Sequence, residues 1–180
     1  EVLSQINHKT TPQKAISCWG GDPKTLELIN VGINVVYRFI CASQVCYLKM
    51  THSQLRSRVD LEAALTFQQY LQKSDVPVCP LIASTQSRII ELVKQGVHTF
   101  LAHVCRGVPR KSVHFDYGQA FYRHWGQALG RLHLASTSYK CKQHNYGQWE
   151  DDSMELEHYA EKEDPIIQKE LATYQKTFLV

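Results

Sequence analysis

The sequence predicts an α+β fold in which an antiparallel sheet packs against one helix and further helices follow. Val35–Cys41 and Val45–Met50 are rich in β-branched and aromatic residues, and only residues 42–44 separate them. Two such runs with a short connection are typical of an antiparallel hairpin. A run with apolar residues at helical spacing then extends from Leu61 to Leu71. The hairpin and this helix are the two observations that predict the fold class.

The chain before this hairpin predicts a short helix and one more strand. Residues 1–24 are polar with scattered apolar positions and end near the breaker Gly20-Gly21-Asp22-Pro23, which indicates a helix and a turn. Leu26–Asn30 is the predicted strand, and Gly32 lies in the turn that leads into the hairpin. A glycine there lets backbone N–H groups approach phosphates closely, and an ordinary hairpin turn uses glycine equally well.

Lys49 is the most informative residue of the hairpin. It lies between Leu48 and Met50, inside the apolar run of the second strand. A buried ammonium without a partner is costly enough to shift its own ionisation. We therefore expect phosphate oxygens or a helix carboxylate close to Lys49.

The middle of the chain predicts a capped helix and a second hairpin. Ser57 followed by Asp60 approximates a capping box and indicates a helix start. Beyond this helix, two prolines in residues 76–82 lead to predicted strands over Arg88–Val93 and Val97–Val104, joined by Lys94-Gln95-Gly96.

Helices are predicted for the rest of the chain. Helix starts are indicated at Asp116, at Asp152 and at Asp164-Pro165. The first of these helices has an apolar face made of Phe121, Trp125, Ala128, Leu129 and Leu132. We interpret His133 at its end as a buried, hydrogen-bonded residue rather than as a proton shuttle.

Composition excludes several classes of function. A net charge of +3 is too small and too dispersed to indicate nucleic acid or a membrane surface. The apolar runs are far shorter than the roughly 20 residues that a membrane span needs. The cysteines lack both CxxC spacing and a four-ligand zinc pattern, so we interpret them as reduced, buried thiols of a cytoplasmic protein. They are Cys18, Cys41, Cys46, Cys79, Cys105 and Cys141.

Six short motifs follow one another along the chain. They are Asn34-Val-Val-Tyr37-Arg38-Phe39, Tyr47-Leu-Lys49, Gln69-Tyr70-Leu71, Val76-Pro-Val-Cys-Pro80, Arg106-Gly107-Val-Pro109 and Trp125-Gly126-Gln-Ala-Leu-Gly130-Arg131-Leu-His133. Their order and spacing resemble the aminoglycoside phosphotransferase and choline kinase family, which has a protein-kinase-like fold. The resemblance implies a kinase-like N-lobe over residues 1–105, which binds nucleotide, and a hinge exit with a partial helical C-lobe over residues 106–180.

The resemblance also implies a site for ATP. Lys49 would neutralise the α- and β-phosphates. The backbone of the hinge would recognise adenine through the His103 carbonyl and the Cys105 N–H, with Ala102 near the gatekeeping position. The turn before the hairpin and the start of its first strand would cover the phosphates, through Gly32, Asn34 and Val36.

Other parts of the family's machinery have no counterpart here. The sequence contains no His-Gly-Asp type loop and no later aspartate on a short strand, so we name no catalytic residue and expect the Mg²⁺ ligands outside this chain. The helix glutamate that pairs with the lysine would fall at Ala64. Glu62 lies two residues earlier, about 200 degrees around the helix. Either Glu62 is recruited through an irregular first turn, the correspondence is shifted, or the pair is absent.

Two functions remain open from the sequence. The first is the N-terminal portion of an ATP-dependent kinase that phosphorylates a hydroxyl of a small metabolite or antibiotic. The second is a non-catalytic, pseudokinase-like module that binds nucleotide or acts as a scaffold. The start at Glu1 and the abrupt end after Val180 favour a piece of a longer protein. The acceptor and the oligomeric state cannot be read from these residues.

Overall fold

The computed structural model describes residues 6–108 and 118–140. The predicted helix starts at Asp116, Asp152 and Asp164, together with the segments that follow the last two, lie outside the described residues. Within the described part, the elements in chain order are α1 (Thr11–Ser17), β1 (Asp22–Val31), β2 (Val35–Cys41), β3 (Gln44–His52), α2 (Arg58–Lys73), β4 (Leu81–Ile82), β5 (Glu91–Gln95), β6 (His98–Arg106) and α3 (Gly118–Thr137).

The described strands form one antiparallel sheet. Their order is β1-β2-β3-β6-β4, and β5 pairs with β6 on the same side as β4. The sheet and the helix α2 confirm the predicted α+β arrangement. β3 and β6 lie in the centre of the sheet, which places the strand of Lys49 between two neighbours.

The hairpin of β2 and β3 closes with a tighter turn than the sequence predicted. Cys41 pairs with Gln44, so the connection contains only Ala42 and Ser43. Both have positive φ, 46° and 62°. Two consecutive left-handed residues match the right-handed twist of the flanking strands. The prediction that Gln44 belongs to the connection is wrong, because Gln44 is already part of the β3 ladder.

This turn leads to a first testable prediction. Left-handed backbone costs a residue with a side chain about 1 kcal/mol or more, and asparagine and glycine tolerate it best. Replacing Ala42→Asn and Ser43→Gly together should raise the free energy of unfolding by about 1 kcal/mol. Urea denaturation measures it. The matched control is Val97→Gly in the turn of the other hairpin, where Val97 is 94% exposed and its φ is not positive. An equal gain in both variants would contradict the explanation by strain.

Alternate residues of the central strands point to opposite faces of the sheet. One face forms the main core with α1, and the indole N–H of Trp19 donates a hydrogen bond to the Ile82 carbonyl at 2.8 Å. That core contains Ala15, Ile16, Trp19, Val35, Tyr37, Phe39, Cys46, Leu48, Met50, Phe100, Ala102 and Val104.

The opposite face carries Lys49 and packs against α2. Leu61 and Leu65 of α2 form a second cluster with Ile90 and Leu101. The predicted helix start is confirmed, since the Ser57 hydroxyl accepts a hydrogen bond from the Asp60 N–H at 3.1 Å.

Aromatic residues of α2 contact the C-terminal end of α3 and the residues that follow it. The Tyr70 hydroxyl donates to the Ala135 carbonyl at 3.0 Å, and the ring of Tyr139 lies 5.0 Å from that of Tyr70. Among the five predicted apolar-face residues, Trp125 and Leu129 are 56% and 42% exposed. His133 is exposed as well, so the expectation that it is buried is wrong. It lies one position beyond the half-buried Leu132, which places it about 100 degrees further around the helix.

Several strand boundaries differ from the prediction. β6 extends from His98 to Arg106, and the prediction that Lys94 and Gln95 belong to the connection before it is wrong, because both pair with β6 as part of β5. Two further differences have local reasons. β1 continues from Asp22 to Val31 because its pairing with β2 tolerates two register shifts. β5 begins at Glu91 rather than at Arg88. The preceding residues form a turn in which the Ser84 N–H donates to the Arg88 carbonyl at 2.7 Å, and the Arg88 guanidinium pairs with the buried Glu91 carboxylate at 2.7 Å.

The cysteines in the described part of the chain are free thiols. Only Cys46 and Cys105 among them are buried, and Cys79 is exposed. The expectation that all of them are buried is therefore wrong.

In the stretches 6–108 and 118–140, no helix has the length and apolar character to cross a membrane.

Candidate functional site

Lys49 lies at the centre of the sheet in a row of three residues. It is directly opposite Val36 on β2 and His103 on β6. Residues directly opposite in antiparallel strands share a face, so these side chains lie side by side on the face that α2 covers. Lys49 is half-buried there, which confirms that it is a strand residue rather than a loop residue.

His103 is the most unusual residue of this row. Its side chain is 7% exposed, and its buried Nδ1 has no hydrogen-bond partner among the described residues. Burial, and then the positive charges of Lys49 and Arg56, lower the pKa of His103 from 6.5 to about 4. The imidazole is therefore neutral at physiological pH.

No ion pair of Lys49 occurs within residues 6–108 and 118–140. The Glu62 carboxylate instead binds the Arg58 guanidinium at 2.7 Å on the exposed side of α2. The helix is regular from Arg58 onward, so an irregular first turn does not bring Glu62 to the lysine. Of the three alternatives, this part of the chain favours the one in which Lys49 has no helix carboxylate.

The backbone groups of His103 and Cys105 take part in the β3–β6 ladder. The Gly107 N–H donates to the Val45 carbonyl at 2.7 Å, and the Ser53 N–H donates to the Thr99 carbonyl at 3.0 Å. Because hydrogen-bonded pairs alternate along antiparallel strands, Lys49/His103 and Tyr47/Cys105 are bonded pairs as well. The His103 carbonyl and the Cys105 N–H therefore point toward β3. Their assignment to adenine stays a prediction.

The end of β6 offers other backbone groups. The Arg106 N–H donates to the Pro80 carbonyl at 2.8 Å, but a proline has no N–H to return the bond to the Arg106 carbonyl. In the described part, no hydrogen bond reaches this carbonyl or the Val108 N–H. Gly107 between them lies so close to β3 that a Cβ would meet the Val45 carbonyl oxygen at 2.8 Å.

The turn before β2 carries two of the predicted site residues. The Gly32 N–H donates to the Asn34 carbonyl at 3.0 Å, and the Thr51 hydroxyl donates to the Ile33 carbonyl at 3.4 Å. Gly32 does not have positive φ, and a Cβ there would meet only the Asn30 side chain at 3.6 Å. The fold by itself does not require glycine at this position, while Asn34 is half-buried.

Two further predicted residues lie on different faces. Ala102 is fully buried in the main core, opposite Met50, on the other face from Lys49. Cys105 is buried on the face of Lys49, where its sulfur accepts a weak hydrogen bond from the Gln68 amide at 3.8 Å. Burial is the main cause that raises the pKa of the Cys105 thiol. The structure thus brings together Val36, Lys49, His103 and Cys105, and leaves Ala102 apart.

Arg56 is a residue of this site that the sequence did not indicate. It lies between β3 and α2, where its guanidinium makes a long hydrogen bond of 3.5 Å to the Asp60 carbonyl. Its positive charge is the third cause, after burial and Lys49, that lowers the pKa of His103, and no periodicity of the segment marks Arg56 in the sequence. Among the described residues, no group of three or more histidine, cysteine or acidic side chains could hold a metal ion.

Comparisons with solved structures agree with the fold of this chain. No family model matches the chain, and neither does any curated protein. An amicoumacin kinase, hAmiN, solved in complex with AMP-PNP, Ca²⁺ and Ami, matches 87% of this chain and 49% of its own at 21% identity and a TM-score of 0.75. A microcompartment-associated aminopropanol kinase matches 78% of this chain and 45% of its own at 17% identity and a TM-score of 0.64.

A third solved structure is the spectinomycin phosphotransferase APH(9)-Ia in complex with ADP and spectinomycin. It matches 68% of this chain and 36% of its own, at 14% identity and a TM-score of 0.50. The chain thus spans about half the length of the first two structures and less of the third. At these identities the likeness shows the fold: the predicted kinase-like N-lobe of the aminoglycoside phosphotransferase type is confirmed.

Proposed function

We propose that this chain is the N-terminal portion of an ATP-dependent phosphotransferase that transfers the γ-phosphoryl group of ATP to a hydroxyl of a small metabolite or antibiotic. One observation carries the proposal. In a kinase-like N-lobe, a half-buried lysine occupies the central strand beside a neutral buried histidine, and no described carboxylate neutralises it. A nucleotide phosphate is the partner that satisfies this ammonium best.

Phosphoryl transfer depends mostly on positioning and on electrostatic stabilisation of phosphate charge. In the proposal, Lys49 neutralises the α- and β-phosphates, and Gly32, Asn34 and Val36 cover them. The family resemblance implies that the His103 carbonyl and the Cys105 N–H bind adenine. Because these groups point toward β3, we propose instead the Arg106 carbonyl and the Val108 N–H, which lie at the free edge of β6. The Mg²⁺ ligands and the catalytic carboxylate would be supplied outside this chain.

The matched proteins support this proposal by analogy. One was solved with AMP-PNP, Ca²⁺ and Ami, and another with ADP and spectinomycin, so both bind a nucleotide together with a small molecule. The comparisons do not favour the alternative of a non-catalytic module, because the matched structures are named as kinases or phosphotransferases. The free cysteines are in keeping with a cytoplasmic protein.

Nucleotide binding by the 180-residue chain tests the proposal directly. Thermal unfolding is followed while Mg-ATP, ADP or adenosine is added. We expect a saturable rise in melting temperature with ATP and ADP, since ligand that binds only the folded form stabilises it by about 2.7 kcal/mol at 100 times its Kd. Adenosine lacks the phosphates and should give a smaller rise. A folded chain whose melting temperature does not respond to ATP or ADP would contradict the proposal.

A further inference from the structure

A polar residue interrupts the apolar stripe by which α2 packs on the sheet. Leu61 and Leu65 belong to that stripe, and both are buried. The half-buried Gln68 follows Leu65 by three residues, and Leu71, three residues later, is buried again. Residues three or four apart on a helix share one face, so Gln68 occupies a position of the stripe that usually holds an apolar side chain. An amide in this position needs a hydrogen-bond partner.

The partners of Gln68 lie at the end of the sheet that carries the proposed adenine groups. Its Nε2 donates to the Cys79 carbonyl at 2.6 Å and lies 3.8 Å from the Cys105 sulfur. Cys105 belongs to β6, and Cys79 lies two residues before β4. One side-chain amide therefore contacts both β6 and the connection that leads from α2 to β4.

This connection lies directly against the residue proposed to bind adenine. The Pro80 carbonyl, one residue after Cys79, accepts a hydrogen bond from the Arg106 N–H at 2.8 Å. On the other side of β6, the Gly107 N–H donates to the Val45 carbonyl at 2.7 Å. The N–H and the carbonyl of one strand residue point toward the same neighbour. The contact with Pro80 therefore fixes the direction of the Arg106 carbonyl as well.

We propose that Gln68 is a positioning residue for the nucleotide base. By holding Cys79, it keeps Pro80 against Arg106 and so directs the Arg106 carbonyl toward adenine. The inference rests on the proposed function, because the adenine contact belongs to it. Gln68 acts on the base rather than on the phosphates, since its contacts lie at the last residues of β6 and Lys49 pairs with His103 further back along that strand.

The test compares Gln68→Met with Gln72→Met in the 180-residue chain. Methionine is similar to glutamine in size and suits an apolar stripe, but its side chain cannot donate a hydrogen bond. Gln72 is the matched control, because it lies one turn further along α2 and is exposed. Calorimetric titrations with adenosine, ADP and pyrophosphate measure the affinities.

Gln68→Met should weaken the binding of adenosine and of ADP by the same factor, about five- to tenfold, which corresponds to one ordinary hydrogen bond. The affinity for pyrophosphate should not change, because pyrophosphate has no base. Gln72→Met should leave all three affinities as in wild type. Gln68→Glu keeps the shape of the side chain, but its carboxylate only accepts hydrogen bonds, so it should weaken adenosine binding as Gln68→Met does.

The free energy of unfolding separates a positioning role from a role in folding. A residue with only a structural role would lose stability together with binding. Gln68→Met should instead keep at least the wild-type stability in urea denaturation, because methionine extends the apolar stripe and water can replace the lost donor at the exposed Cys79.

Amide hydrogen exchange tests the same step without a ligand. Gln68→Met should speed the exchange of the Arg106 N–H and leave that of the Gly107 N–H as in wild type, since Gly107 is bonded to Val45 on the other side. Unchanged exchange of Arg106 would overturn the inference. Wild-type affinity for adenosine in Gln68→Met, or an affinity for pyrophosphate reduced as much as that for adenosine, would overturn it too.

Binding by the wild-type chain distinguishes failure of this inference from failure of the proposed function. A wild-type chain that binds neither ADP nor adenosine would contradict the proposed function and the adenine role of Gln68 with it. A wild-type chain that binds ADP, together with a Gln68→Met variant that binds it equally well, would contradict only the role of Gln68.

Discussion

Lowering the pH from 6.5 to 4 is expected to reduce the free energy of unfolding by about 3 kcal/mol through His103 alone. Its pKa is 6.5 in the unfolded chain and about 4 in the folded one. At pH values between these two pKa values, the unfolded state binds a proton that the folded state does not bind. The contribution of His103 is therefore complete above pH 6.5 and is lost progressively toward pH 4.

A second histidine changes stability in the same direction. His52 is buried, its Nδ1 accepts a hydrogen bond from the Gln54 N–H at 3.1 Å, and its Nε2 lies 3.2 Å from the Nδ1 of His98. Burial, followed by the charge of His98, lowers the pKa of His52. Protonation of its Nδ1 would remove the bond to Gln54. The loss of stability due to His52 also begins as the pH falls below 6.5.

Urea denaturation at several pH values between 7 and 4.5 measures this effect. The change His103→Gln should flatten the dependence of the free energy of unfolding on pH, because it removes the titrating group. His124→Gln, on the exposed surface of α3, is the matched control and should leave the dependence as in wild type. A slope that His103→Gln leaves unchanged would show that the pKa of His103 is the same in the folded and unfolded chain, which contradicts the prediction.

The change Lys49→Ala is expected to weaken the binding of ADP and ATP by about 10- to 100-fold while the chain still folds. The ammonium lies in the row on β2, β3 and β6, and no ion pair with another described residue neutralises it, so the proposed nucleotide phosphate would be its main partner. Calorimetric titration with ADP measures the affinity.

Lys94→Ala is the control for this variant, because Lys94 lies on β5 of the same sheet but is exposed. The pKa of His103 gives a separate readout. Lys49 is one of the charges that lower it, so Lys49→Ala should raise the pKa of His103 and make the loss of stability between pH 6.5 and 4 smaller. An ADP affinity that stays at the wild-type value, or a chain that no longer folds, would count against the role assigned to Lys49.

Local signals in the sequence determined much of the fold. The predicted bounds of β2 are the observed ones, because its β-branched run ends at a sharp turn. The start of α2 was predicted because an N-cap is a contact within four residues, and the Ser57 hydroxyl makes it with Asp60. The position of Lys49 inside a strand followed in the same way from its apolar neighbours. Each of these features depends only on residues that are close in the chain.

The candidate site depends on contacts between distant residues, and only the tertiary structure decided them. The pairing of β3 with β6 places Lys49 opposite His103 and turns Ala102 to the other face. In the same register the Cys105 N–H points toward β3. The Arg106 carbonyl faces Pro80, which has no N–H to donate. A shift of one residue would exchange the two faces of the strand and reverse each of these assignments. That register is set by the packing of α1 and α2 on opposite faces of the sheet, which no short stretch of the sequence encodes.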